Sequence, residues 1–182
     1  PAPISGWTST GNYGVNVSGP GPFANNGINP EQDRVAFLQG DATLSQFVEE
    51  LEDGEAYHLS FAFNARSGNR PTLNVSVNGE TALEYEVNPV GDAEPYYVFV
   101  YNFTADSDVA DIAFAQTAAG DNTVLLDDVR LLKGKGTEVE LPGPEEPAVP
   151  ISMALGQGAD SSLTLSWSAD ETGWVTQYAE KV

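Results

Sequence analysis

From Tyr57 the chain alternates cleanly: Tyr57, Leu59, Phe61, Phe63 and Ala65 fall on one side, and His58, Ser60, Ala62, Asn64 and Arg66 on the other. A period of two is the signature of a half-buried strand. Leu73, Val75 and Val77 alternate in the same way with Thr72, Asn74 and Ser76, and Asn78-Gly79 follows as a hairpin signal. The same reading predicts strands over Val35–Gln39, Thr43–Val48, Ala82–Val87, Tyr96–Phe103, Val109–Gln116 and Val124–Leu132. No helical periodicity exceeds two turns. Short strands punctuated by Gly, Pro, Asn and Asp predict an all-β protein built as an antiparallel β-sandwich.

The pattern changes after Leu132. Residues 133–150 (KGKGTEVELPGPEEPAVP) carry four prolines in their last nine positions and read as a stiff, extended linker. Three more strand-like runs follow, Ile151–Leu155, Ser162–Trp167 and Trp174–Glu180. The expected organisation is a sandwich over 1–132, a Pro/Gly/Glu linker over 133–150, and an incomplete β segment over 151–182. An isolated three-stranded segment leaves an apolar face and an unpaired edge, so those strands are expected to pair with something else.

Composition then narrows the function. Against 27 acidic side chains stand 7 basic ones, for a formal charge of −20 in 182 residues. Such a surface repels phosphate backbones and anionic lipid, which excludes nucleic acid as a partner. No apolar run reaches the ~18 residues of a membrane span, so no membrane insertion is expected. A hydrophobic fraction of 41% is enough for a real core. With no cysteine, disulfides, zinc–thiolate sites and thiol nucleophiles are absent. The acidic, Lys-poor composition suits salty or extracellular water. The start at Pro1, without an initiator Met or a signal-peptide pattern, reads as a processed or trimmed end.

Catalytic chemistry finds little support. His58 is the single imidazole, and neither GxSxG nor HExxH occurs. Glu84 and Glu86 share a strand face about 7 Å apart, a permissible glycosidase spacing that any E-x-E strand satisfies, and they read as a solvated acidic face. The chain is expected not to be an enzyme. If Leu59, Phe61 and Phe63 face the core, His58, Asn64 and Arg66 line the opposite face with Asn74 from the neighbouring strand, a platform of donors and acceptors for a hydroxyl-rich ligand. Trp7 and Tyr96, with Tyr13 and Tyr97, are the stacking candidates; Trp7 serves equally well as a plug at the end of the sandwich. In the run VLLDDVRLL, strict alternation sends Asp127 and Asp128 to opposite faces, so one carboxylate points inward. Either a hard cation such as Ca²⁺ holds it, or an edge or bulge brings both acids to water.

Three stretches in order, GWTSTGNYGV, VAFLQGDATLSQFVEELEDGEAYHLSFAFNAR and NTVLLDDVRLL, resemble the galactose-binding-like jelly roll of bacterial extracellular carbohydrate-binding modules and of DUF642-type cell-wall proteins. The likeness covers roughly residues 4–132. It implies a noncatalytic, secreted or cell-surface module of a larger protein that binds a neutral polysaccharide or glycan, or serves adhesion. It also implies a structural Ca²⁺ with Asp127 or Asp128 as ligand. The family opens with an Asn-Gly-x-Phe-Glu strand that precedes anything found here, which leaves the calcium site and one sheet incomplete. SSLTLSWSADETGWVTQYAEKV resembles the opening strands of a fibronectin-III or immunoglobulin-like module. The alternative function is a structural subunit of a cell-surface filament or layer, self-associating through unpaired strands by β-strand exchange.

Overall fold

A computed structural model describes residues 4–17, 27–28, 30, 34–91, 94–143, and the backbone of 154–157 and 163–166. The first compact unit ends at Gly143. It carries β1 (Thr8–Val17), β2 (Arg34–Glu49), β3 (Ala56–Ala65), β4 (Thr72–Val77), β5 (Glu80–Glu86), β6 (Tyr97–Thr104), β7 (Val109–Gln116) and β8 (Thr123–Lys133). Among the described residues the second unit holds one antiparallel pair, β9 (Ala154–Gln157) with β10 (Leu163–Ser166). The strand expected over Trp174–Glu180 lies outside the described residues.

Hydrogen bonds link the first unit in the order β5-β4-β7-β2-β8-β3-β6, with β1 on β2 and every ladder antiparallel. β2 belongs to both halves of this path. Its residues Ala36–Gln39 pair with β8, and Ala42–Glu49 pair with β7. The sequence pattern splits this strand at Gly40-Asp41; the structure runs one 16-residue strand through a corner. Gly40 takes φ +63° there, and Gly11 of β1 passes so close that a Cβ would lie 2.2 Å from the Asp41 carbonyl. Only glycine fits at position 11.

At that corner the path folds into two facing layers, one formed by β6, β3, β8 and the first half of β2, the other by the second half of β2 with β7, β4 and β5. Contacts between strands remote in the path show the closure: Phe61 of β3 meets Phe114 of β7 edge-on at 5.0 Å, and Phe63 of β3 meets Tyr85 of β5 at 5.8 Å. Phe61, Phe63 and Phe114 are fully buried, each stabilising the sandwich by about 1.5–3 kcal/mol. The expected jelly-roll sandwich is the fold observed.

A second, smaller core lies on the outside of the first layer. Ala62, which alternation assigns to a polar face, is buried there with Val35, Leu125 and Tyr96, and Val90 packs against them. The β5–β6 connection thus covers half of that face. Residues 134–142, read from sequence as the start of the linker, lie along the first unit as a strap. The Gly134 amide donates to Ala56 O, Asn102 exchanges hydrogen bonds with both the amide and the carbonyl of Gly136, Leu141 packs on the core, and Tyr85 Oη donates to Pro142 O at 2.9 Å. The strap crosses from β6 to β5, the two end strands of the path, which lie on facing layers.

Candidate functional site

The platform expected from His58, Asn64, Arg66 and Asn74 is not one surface. β3 sits between β8 and β6, whereas β4 sits between β7 and β5. Strands consecutive in sequence therefore occupy opposite layers, and Asn74 faces away from the other three. His58 is half-buried beneath the strap, its Nδ1 2.8 Å from Gly134 O. Its ring is so close that a Cβ on Gly136 would lie 2.6 Å from it. Asn64 is fully buried, and its Oδ1 accepts from the amides of Ala65 and Val90 at 2.8 and 2.9 Å, pinning the β5–β6 connection. Its role is structural. Arg66 reaches the corner, where its guanidinium pairs with Asp121 at 2.9 Å. Gln39 bridges Asp121 and Asn12 at the same place.

The aromatic candidates also serve the interior. Trp7 packs on the core 5.9 Å from Phe114, realising the plug rather than the exposed platform. Tyr96 is buried in the small outer core, and burial, reinforced by the Asp127 carboxylate, pushes its phenol well above the ordinary value. Its hydroxyl has no hydrogen-bond partner among the described residues. Tyr13 packs against the core, and Tyr97 stacks between Phe63 and Tyr85.

Asp127 and Asp128 realise the bulge. Ser60 and Ala62 of β3 pair with Arg130 and Asp127 of β8, so β8 carries one extra residue in this step, and Asp128 takes φ +48°. The Asp128 amide donates to Asp127 Oδ1 at 2.9 Å, and Arg130 Nε donates to the Asp128 carboxylate. Among the described residues no third His, Asp or Glu joins them as a metal-binding group. The pair supplies a fraction of the six to eight oxygens that calcium takes, so the residues fit such an ion only partially.

What the structure does assemble is the outer face of the second layer. Paired residues of antiparallel strands share a face, so the register defines two complete rows. One runs Thr8, Ser45, Ala113, Ser76, Thr81; the next runs Thr10, Thr43, Ala115, Asn74, Glu84. Beyond the first row, Phe47 stands opposite Asp111, its ring 69% exposed. Five strands at ~4.8 Å spacing make this face about 19 Å wide. Ala113 and Ala115 keep its centre low, with hydroxyls on β1, β2 and β4 to either side. Asn74 Nδ2 donates to Thr117 Oγ1 at 3.0 Å, and Glu84 and Glu86 fringe one margin. Of the residues expected to bind ligand, Asn74 belongs here, and Glu84 of the acidic strand lies beside it. The readable signal for the rest was Phe47, an aromatic at the outward parity of a strand whose inward positions include Ala42, Leu44 and Val48.

No family model matches the sequence, and no curated protein matches it. Solved structures share the fold. A Stig cyclase of Fischerella sp. TAU, in complex with (3Z)-3-(1-methyl-2-pyrrolidinylidene)-3H-indole, aligns at TM-score 0.53 and 17% identity over 73% of this chain and 87% of its own. A CBM61 module in complex with β-1,4-galactotriose aligns at TM-score 0.49 and 16% identity over 71% and 90%. The CBM22-1 xylan-binding domain from Paenibacillus barcinonensis aligns at TM-score 0.48 and 18% identity over 72% and 88%. At such identities the likeness to the cyclase establishes the β-sandwich fold and nothing finer.

Proposed function

We propose that the chain is a noncatalytic glycan-binding module, and that its ligand lies across the outer face of β1, β2, β7, β4 and β5. The observation that carries this reading is Phe47, a phenyl ring 69% exposed beside two registered rows of hydroxyl, methyl and amide groups. A sugar offers an apolar C–H face and a rim of hydroxyls; the ring matches the first, and Thr10, Thr43, Ser45, Asn74 and Ser76 match the second. The acidic margin and the net charge of −20 favour neutral polysaccharides over sulfated or uronic ones. A secreted or cell-surface setting within a larger protein, with an adhesive role, belongs to the same proposal and is supported by the acidic, Lys-poor composition.

Affinity electrophoresis against neutral xylan, galactan, glucan and mannan tests it. Retardation on at least one is expected, and Phe47→Ala weakens that binding about 5- to 30-fold, the equivalent of about 1–2 kcal/mol of stacking and burial. The absence of retardation on every gel, with CaCl₂ or with EDTA, refutes it. Structural calcium at Asp127 is proposed alongside, supported by the bulge of β8 that carries two consecutive acidic residues. CaCl₂ added to EDTA-treated protein then raises the melting temperature, and Asp127→Asn removes the rise; an unchanged wild-type melting temperature disproves it.

A further inference from the structure

Between the two layers, where β2 and β8 stop pairing, lies a cavity of about 360 Å³. Its walls are largely apolar, with Trp7, Leu44, Leu59, Ile112, Phe114 and Leu131 among them, and a charged margin. This volume is within the range of small-molecule pockets and more than twice that of the ~150 Å³ apolar cavity that accommodates benzene. A single ring with one substituent fits it.

One uncharged polar residue interrupts the apolar wall. The inward positions of β2 run Ala42, Leu44, Gln46, Val48, and Gln46 lines the cavity as a half-buried amide. The two fully buried side-chain amides are tied to the backbone. Asn64 holds Ala65 and Val90, and Gln116 holds the corner loop. Among the described residues, nothing hydrogen-bonds the Gln46 side chain. A half-buried amide without a protein partner keeps its donors and acceptor open to water or to a molecule held in the cavity. The charged groups near the cavity offset one another: Asp127 and Asp128 line it, but so does Arg34, and Arg130 engages Asp128. This balance favours a neutral ligand.

We infer that the cavity is a binding site for a compact, neutral, largely apolar molecule of one ring carrying a single hydroxyl, its ring against Trp7 and Phe114 and its hydroxyl on the Gln46 amide. The site is inside the sandwich and shares no residue with the outer face, so it stands or falls independently of glycan binding.

The test is a ¹H–¹⁵N titration of the full chain with benzyl alcohol and, in parallel, with toluene. Saturable shifts are expected at the Trp7 indole N–H and the Gln46 side-chain amide, with benzyl alcohol binding about two- to tenfold tighter than toluene, the worth of one net hydrogen bond. Gln46→Leu abolishes or reverses that preference, while Phe47→Ala on the outer face leaves both affinities unchanged. Absence of saturable shifts at Trp7 and Gln46 overturns the inference, as does a preference for the alcohol that survives in Gln46→Leu. Should that variant not fold, the wild-type comparison decides: equal affinity for the two probes, or no movement of the Gln46 amide, overturns it.

Discussion

Gln116 holds the corner at which one hydrogen-bonded path becomes two layers. It is fully buried; its Oε1 accepts from the Ala118 amide at 2.6 Å and the Thr72 amide at 3.3 Å. Its Nε2 donates to Gly40 O at 2.6 Å and Ala118 O at 2.9 Å, with Asn122 O at 3.3 Å. One side chain thus ties β2, β4 and the β7–β8 loop together. Gln116→Leu keeps an apolar body of similar size and removes every one of these contacts. The three short bonds alone, at about 0.5–1.5 kcal/mol net each, are worth about 1.5–4.5 kcal/mol. Because the carbonyls and amides left behind are partly dry, the expected loss is in the upper portion of that range, about 3–4.5 kcal/mol. Urea denaturation of the full chain followed by near-ultraviolet circular dichroism measures it, at unchanged m-value. Amide exchange supplies a local readout, with Ala118 and Thr72 losing protection first. A loss below about 1 kcal/mol would refute the assignment of the corner to Gln116.

Three further outcomes follow from the geometry. Tyr96→Phe removes a buried hydroxyl that has no partner among the described residues and should stabilise the protein by about 1 kcal/mol; a destabilised variant in thermal melts contradicts this. A Cβ on Gly136 would meet His58 at 2.6 Å and Val100 at 2.7 Å, so Gly136→Ala costs about 1–3 kcal/mol through overpacking and should open residues 134–142 to limited proteolysis; a strap as resistant as wild type argues against close packing there. Burial, reinforced by Tyr97, raises the Tyr85 pKa above its ordinary 10.0. The folded state therefore holds that proton longer than the unfolded chain; its contribution is present below pH 10 and is lost as pH rises through the higher folded value. Chemical denaturation should show stability falling on the alkaline side, less steeply in Tyr85→Phe, whereas parallel profiles would remove Tyr85 as a cause.

Period-two alternation located most strands because sheet burial imposes it directly. β1 escaped because Tyr13, Val15 and Val17 alternate over only five residues behind a polar, Gly-containing first half, and the strand is held by its ladder with β2. Gly40-Asp41 looked like a turn because local chemistry is the same whether a chain reverses or bends through a corner. The misplaced platform has a different origin. Alternation tells which side of a strand a residue takes, but not which strand lies next to it, and β3 and β4 separate because their neighbours are distant in sequence. Asn64 illustrates the same limit: its outward parity was legible, while the Val90 amide that covers it comes from a connection 26 residues away. Asp127 and Asp128 were legible as an anomaly, and the bulge resolved the conflict with strict alternation.

The strap also determines how the module meets mechanical load. Tension applied to the chain beyond Gly143 reaches the Tyr85–Pro142 bond first, then the contacts of Asn102 with Glu138 and Gly136, and only afterwards His58 with Gly134 and the end of β8. These attachments are arranged in series, so they break in succession, each lengthening the tether before the ladder between β8 and β3 is loaded. Residues 134–142 can thus act as an extensible fuse, giving way under a pull while the two layers stay intact.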